Sequence, residues 1–554
     1  MLPRLKDLTP PARPPKPFVE RALARVFPSW ALKREIARLR LTMIGESRRF
    51  LSTYEAAEKS RLTDDWPSKT KSADAAIGGD YWTILSRARG AARDSWAAVS
   101  IADGYVRHVV GKGITARANA RNPATNASLD IFNRAADREW ARWSTRPELC
   151  DSEGTKTFVG IEALCAREMT IAGEAFVVIS YEPRDGDVGL VLQMVEPEQF
   201  DTSITQYKDP ATGVTREVKA GIELDDRGRA VAYHVYQAGH PLDAWGKWRS
   251  SSSARVPASR VIHLMRQDRV RQSHGVSRLT PVLREMYHTR MYEEYTLLRA
   301  RFEACGGAAI TSEPGASPLT MEGLNTGASS DALDANSNTQ FNMEPNMVWQ
   351  LPAGKKVEFL APQTPGGQYE PFTRAQMKKI AAGAGLDYPT VSRDFSGNTY
   401  SGQRQGMIET WGETDAEQLR MMNVLCRRVW EAFITYAVLE GRLAAPLWAQ
   451  PLWRRAYLEA TWQAPPKEWI DPNNQANAVK SMVDYRIKPR RDIYNELGQD
   501  WKEAFTQIAE EERFAASLNV TLPDAGGAPA PAPAPPMSRL DAVIPGNGNG
   551  RNLI

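Results

Sequence analysis

Apolar residues return at helical spacing along two long stretches of the chain. Leu283, Tyr287, Met291, Tyr295, Leu298 and Phe302 fall three or four positions apart, and Pro281 stands where a first helical turn tolerates proline, so one long helix is predicted over residues 281–305. A second stripe runs through Ile408, Trp411, Ala416, Leu419, Met422, Cys426, Val429, Phe433 and Tyr436, and predicts a helix of about eight turns with one continuous apolar face. Between them the pattern changes twice. Residues 308–368 hold short strand patterns, with a turn at Pro352, Ala353 and Gly354, around a Ser/Asn/Gly-rich insertion at 315–340. Residues 371–386, PFTRAQMKKIAAGAGL, are amphipathic again and deliver the chain to SRDFSGNTYSG at 392–402. Ser, Asp, Asn and Gly bond locally to backbone or accept positive φ, so this stretch predicts a polar loop. The order is long helix, small β excursion, second helix, polar loop, longest helix.

Upstream, residues 73–114 carry two helical patterns that end at Gly111 and Gly113, with a strand expected next, and a helical segment follows through Trp140 and Trp143. Strand patterns lie at 173–181 and 191–201, at 221–236 with Asp226, Arg227 and Gly228 at a hairpin turn, and at 260–266. This half is mixed α+β. A basic amphipathic helix is predicted at 30–49, from Leu32, Ile36, Leu39 and Met43 against Lys33, Arg34, Arg38 and Arg40, and reads as a docking helix or a membrane-surface helix. The Pro-rich residues 1–28 and the Pro/Ala/Gly-rich residues 521–554 cannot bury enough apolar surface to offset their ordering entropy, so both predict flexible ends.

Composition narrows the function. At 554 residues the chain has room for several domains, and 70 Lys and Arg against 66 Asp and Glu leave a net charge of only +4, unlike a protein that coats nucleic acid. The four cysteines, Cys150, Cys165, Cys305 and Cys426, have neither disulfide-framework nor zinc spacing and read as reduced thiols in a cytosolic setting. No apolar run reaches the roughly 18 residues of a membrane span, and no signal-peptide pattern opens the chain. The GKG at 111–113 lacks the strand, spacing and following hydroxyl of a phosphate loop, and no nucleophile-elbow or metalloprotease motif occurs. The histidines are scattered, and His263, inside an apolar strand, reads as a satisfied core side chain. No cofactor, metal or catalytic residue is indicated.

Taken in series, several blocks resemble the portal proteins of tailed bacteriophages, of the lambda type: RARGAARDSWAAVSIADGYVRHVVGKGI, LQMVEPEQFD, HGVSRLTPVL and AAGAGLDYPTVSRDFS followed by YSGQR. The resemblance extends over roughly residues 75–515 with the order kept. It departs at the polar insertion 315–340 and at YSG, where the lambda branch more often has YSS. It implies a mostly helical α+β portal fold assembled as a ring: a wing (29–275), first stem helix (276–305), clip (306–370), second stem helix (371–386), tunnel loop (387–402), long wing helix (403–440) and crown (441–520). It implies a non-enzymatic conduit at one capsid vertex, assembled in the host cytoplasm and carried in the virion, through which duplex DNA is packaged, retained and ejected. The implied partners are further copies of the chain, twelve in a ring, the terminase large subunit, major capsid and scaffolding proteins, a head–tail adaptor and the DNA, with no membrane. DNA-facing candidates are Arg393, Ser396, Asn398, Thr399, Tyr400 and Arg404; Arg393 and Arg404 could equally pair with Asp394, Glu409 or a neighbouring subunit. Interface candidates on the first stem helix are Tyr287, Met291, Tyr295 and Leu298. Two alternatives stay open: a metal-dependent nucleic-acid-processing enzyme, and another ring-forming minor capsid or head-completion protein.

Overall fold

A computed structural model of the chain divides into two units, residues 1–76 and 77–554. The structure describes positions 28–29, 33–34, 36–37, 61, 67 and 69–76 of the first, and 77–236, 253–304, 308–312, 355–359, 366–397, 399–467, 472–518 and 520 of the second. The predicted Pro-rich arm 1–28 apart from position 28, the predicted helix 30–49 apart from the helical positions 33–34 and 36–37, the insertion 315–340 and the tail 521–554 lie outside the described residues.

The second unit opens with α1 (Tyr81–Asp94), α2 (Trp96–Val109) and strand β1 (Thr115–Ala118), followed by α3 (Asp130–Ser144) and α4 (Phe158–Ile171). The Thr157 hydroxyl caps α4 by accepting from the Gly160 amide. Next come β2 (Glu174–Tyr181), β3 (Leu190–Val195), β4 (Gln206–Lys208), β5 (Thr215–Lys219), β6 (Ile222–Leu224), β7 (Ala230–Tyr236), β8 (Ser253–Pro257) and β9 (Val261–Met265). They form an antiparallel three-stranded sheet, β3-β2-β9, and an antiparallel five-stranded sheet, β4-β5-β6-β7-β8. β2 is buried on both faces because its side chains alternate between two cores. Ala175, Val177 and Ile179 enter the main core, while Phe176 and Val178 join Phe200, Ile222 and Tyr233 against the larger sheet.

Then follow α5 (Leu283–Ala304), β10 (Ala308–Ser312), β11 (Lys355–Phe359), α6 (Tyr369–Ala384) and the short α7 (Tyr388–Ser392). β10 and β11 pair antiparallel, Ala308 opposite Phe359. The longest helical run among the described residues is α8 (Tyr400–Met421), continued through a π-wound turn, Met422–Cys426, into α9 (Arg427–Leu439). α10 (Pro451–Leu458), β12 (Ala460–Gln463), α11 (Pro472–Asp484), α12 (Arg490–Glu496) and α13 (Trp501–Ser517) complete the described chain. β12 returns to pair with β1, Thr115 opposite Gln463, which closes the C-terminal part onto the start of the unit.

The main core gathers around α9. Trp140 meets Trp143, Phe158, Trp430 and Phe433 at ring-centroid distances of 5.1, 5.2, 5.2 and 5.1 Å. Two of the buried indoles are satisfied by backbone carbonyls, Trp143 Nε1 donating to Leu190 O at 2.9 Å and Trp430 Nε1 to Leu458 O at 3.1 Å. His263 is the satisfied strand residue the sequence suggests, stacked on Phe176 at 4.2 Å and bonded to Glu174 at 3.0 Å.

The apolar stripe predicted as one continuous buried face is not one. In α9 it is buried at Val429 and Phe433, but in α8 Ile408, Ala416 and Leu419 are exposed, and the buried positions are Thr410, Thr414, Gln418 and Met421. The polar groups on that face are all satisfied: Gln418 Nε2 donates to Val109 O at 3.0 Å and Thr414 Oγ1 to Thr410 O at 3.0 Å. A hydroxyl bonded to its own helix fits a packed interface as compactly as valine, so it holds the inner face while the apolar side chains point outward.

Candidate functional site

The polar segment between α6 and α8 hangs from a junction of four elements. α6 ends at Gly385 in the left-handed region, φ 79°, where a Cβ would lie 2.9 Å from Arg278 Nη1 and 3.0 Å from the Tyr105 hydroxyl. Only glycine fits there. The Tyr105 hydroxyl, from α2, donates to Ala384 O at 2.9 Å. Arg278, at the root of α5, lies 4.4 Å over the Tyr105 ring and bonds Glu417 at 2.7 Å and Glu413 at 3.4 Å on α8. Burial works against the Arg278 charge, but Tyr105 and Glu417 outweigh it and hold its pKa above the ordinary value. Burial also raises the Tyr105 hydroxyl, which keeps it a donor.

Beyond the junction, Asp387 is clamped to α8: its amide donates to Thr410 Oγ1 at 3.0 Å, and Thr410 Oγ1 donates to Asp387 Oδ1 at 2.9 Å. Gly406 leaves room for this clamp, since a Cβ there would sit 3.2 Å from Asp387 Oδ2. After α7 the loop closes on Asp394, which accepts from the Tyr388 hydroxyl at 2.9 Å and from the Ser396 amide at 2.9 Å and hydroxyl. The Ser396 hydroxyl and amide, with Tyr388, hold the Asp394 carboxyl down to about 2. Arg374 of α6 reaches across to Asp394 at 3.3 Å and Ser396 at 3.2 Å, and Lys378 lies 5.7 Å over the Tyr388 ring.

The structure sorts the predicted loop residues into two kinds. Ser396 is occupied with Asp394, and Thr399 caps α8 by accepting from the Gly402 amide at 3.3 Å. Arg393, Tyr400 and Arg404 are exposed, and neither arginine has a carboxylate partner among the described residues. Asp394 is engaged by Arg374 and Ser396, and Glu409 by Gln405 at 2.8 Å, so among the described residues neither carboxylate pairs with Arg393 or Arg404. Tyr400 and Arg404 also lie on α8 itself, because capping by Thr399 starts the helix at Tyr400, within the stretch read as loop; the preceding residues 388–392 are helical too. Asn398 lies outside the described residues. Sequence reasoning missed Arg374, which is some twenty residues from its partners and carries no motif. It also missed Phe395, exposed at the loop tip.

On α5, Tyr287, Tyr295 and Leu298 are exposed and Met291 is half-buried, so the stripe read as an interface is not covered by the described chain. The inner side of α5 is Met286 and Thr289, with Val282 just before the helix. It packs on α6, where Tyr292 stacks with Tyr369 at 6.0 Å and meets Phe372 edge-on at 5.0 Å. A Cβ at Gly383 would come 2.5 Å from Val282, which shows how closely the two helices approach. Among the described residues no group of His, Cys, Asp or Glu is arranged to hold a metal ion, and no helix is long and apolar enough to cross a membrane.

Comparison with known proteins is consistent along the chain. The family model described as "Phage portal protein, lambda family" matches residues 59–418. A probable portal protein of Halomonas phage phiHAP-1 is 25% identical over 476 residues, covering 85% of this chain and 88% of the relative. Portal protein B of Escherichia phage lambda is 22% identical over 485 residues, covering 82% and 88%. Among solved structures, a chain from the neck of a native gene transfer agent particle covers 76% of this chain and 93% of its own length at 10% identity and a TM-score of 0.39. An HK97-family portal protein from Corynebacterium diphtheriae covers 72% and 97% at 10% identity and a TM-score of 0.29.

Proposed function

The chain belongs to the lambda family of phage portal proteins, and from that premise we propose that residues 393–404 face the bore of a ring through which duplex DNA passes. The family's role is that of a head–tail connector, structural and not catalytic. In this reading twelve copies form a ring at the portal vertex of the capsid. The terminase large subunit docks on the clip, the major capsid and scaffolding proteins surround the ring, and a head–tail adaptor joins it after packaging. α5 and α6 are the two stem helices, residues 306–370 the clip, residues 387–402 the tunnel loop, and α8 and α9 the long wing helix. Residues 29–275 supply the wing and 441–520 the crown, and assembly takes place in the host cytoplasm.

The observation that carries the reading is the contrast between the clamped Asp387 and the bonded Asp394 and Ser396 on one side and, on the other, the exposed Arg393 and Arg404, neither of which has a carboxylate partner among the described residues. A guanidinium at a bore can touch a phosphate and release it, whereas a dense basic lining would add salt-dependent retention with every contact. The near-neutral composition agrees with sliding rather than holding. The test is an in vitro packaging reaction with rings carrying Arg393→Ala and Arg404→Ala together. Rings that assemble but package or retain less DNA support the reading; unchanged packaging and retention refute the assignment of these residues to the bore.

A further inference from the structure

Away from residues 387–404, the first residue of β2 holds a charge cluster that the connector role does not use. Glu174 is fully buried and accepts four hydrogen bonds. The Tyr81 hydroxyl of α1 and His274 Nδ1, at 2.9 Å, bond Oε1; His263 Nε2 of β9, at 3.0 Å, and the Gly275 amide, at 2.8 Å, bond Oε2. Burial alone would raise this carboxyl, but the His274 charge and the bonds from both imidazoles hold it far below the usual carboxylate range. Glu174 is therefore an anion inside the protein.

The two imidazoles differ. His263 Nδ1 lies 3.3 Å from the Tyr233 hydroxyl, which can donate to it, so a neutral ring satisfies both of its contacts. His274 is placed differently. Its Nδ1 faces the Glu174 carboxylate and its Nε2 faces Lys219 O at 3.2 Å, and both are acceptors, so both contacts are hydrogen bonds only if the ring carries two protons. The structure thus contains a buried imidazolium–carboxylate pair that ties α1, both sheets and the segment after β9 to one point.

That segment leads straight into α5. Gly173 and Gly275 cross in backbone contact, since a Cβ on Gly275 would stand 2.1 Å from Gly173 O, and the Arg278 amide donates to Thr170 O at 3.1 Å three residues later. We propose that Glu174, His263 and His274 form a protonation-dependent bolt that fixes residues 266–282, and with them the root of α5, to the body, and that the bolt loosens when His274 gives up its second proton. A neutral His274 loses either the Glu174 bond or the Lys219 bond and leaves a buried anion with less opposing charge. The charged groups around it among the described residues have partners of their own. Arg89 and Glu198 bond each other beside Tyr81, Arg266 bonds Asp268 at 2.8 Å, and the Lys219 ammonium lies 3.8 Å from Glu217. The folded state favours the protonated ring, so the stabilisation is present at low pH and lost as pH rises through the His274 titration. Its bearing on a channel rests on the portal reading, in which α5 is a stem helix, but the bolt itself is a property of one chain.

Hydrogen exchange read by mass spectrometry on the full-length chain, corrected for intrinsic exchange, from about pH 6 to about pH 9 tests this. Wild-type residues 266–290 should lose about tenfold or more in protection across that range, while the peptide of α9 does not. His263→Gln should keep the pH dependence and His274→Gln should abolish it. Wild-type protection that is flat with pH, or a dependence that survives in a folded His274→Gln chain, overturns the bolt. If His274→Gln does not fold, the wild-type series and His263→Gln decide. None of these readings needs a ring, so failure of the bolt and failure of the portal reading are told apart.

Discussion

α8 and α9 are one helix by continuity and two by environment. In α9 the bulky side chains point inward: Trp430 and Phe433 are fully buried and close the aromatic cluster around Trp140. In α8 the inward face is Thr410, Thr414 and Gln418, and Ile408 and Leu419 stand outside. The π-wound turn Met422–Cys426 separates the two and inserts one extra residue into the winding, which rotates the face that follows. One half of the helix anchors the core; the other presents a surface and receives the polar segment that ends at its cap, Thr399. An apolar stripe can therefore belong to a core at one end and to an assembly at the other.

Breaking the anchored half should have the largest effect. Trp430→Ala removes a fully buried indole and should cost about 3–5 kcal/mol, read as a loss of melting temperature or of soluble chain. Next is the junction: Arg278→Ala removes the cation over Tyr105 and the partner of Glu417, and should cost about 2–4 kcal/mol in denaturant unfolding. Thr410→Val keeps the packing but releases Asp387 and should cost about 1–2 kcal/mol, with faster hydrogen exchange confined to residues 387–396.

A pH test sharpens the same comparison at the π turn. Burial pushes the Glu162 carboxyl up to about 8 from its ordinary 4.5, against the Ile114 amide and the Cys426 thiol that bond it. The folded state then binds one more proton than the unfolded chain between those values, so this group's contribution to stability falls as pH rises from about 4.5 to about 8. Glu162→Gln should flatten that slope, and the melting temperature of the variant should exceed that of the wild type increasingly toward pH 8. The smallest effect on the single chain belongs to the presented half. Ile408→Ser with Leu419→Ser should change monomer stability by about 0.5 kcal/mol or less, yet lower the yield of rings in mass photometry.

Most elements were legible from periodicity because each obeys one rule over many residues. α5, α6, the β6–β7 hairpin at Asp226, Arg227 and Gly228, and β9 lie where the pattern puts them. The long helix was legible in extent but not in orientation, because periodicity shows that a face is apolar and not what covers it. Thr and Gln on an inner face read as solvent-facing until their hydrogen bonds are seen. Non-local pairings left no trace either: β1 with β12 spans some 345 residues, and Arg374 meets Asp394 only because α6 and the loop fold back on each other. At the candidate site the polar character of residues 392–402 was readable, whereas its division into bonded Ser396 and Thr399 and, among the described residues, unpaired Arg393 and Arg404 depends on which carboxylates are already taken.

The most direct test is an electron cryomicroscopy reconstruction of the purified full-length protein. The account predicts a ring with a central channel, near 740 kDa for twelve copies of the 61.6 kDa chain, with Arg393 and Arg404 lining the channel and Ile408 and Leu419 covered by a neighbouring copy. A ring that carries these arginines on its outer rim, or a chain that stays monomeric in the presence of its scaffolding and capsid proteins, would contradict it.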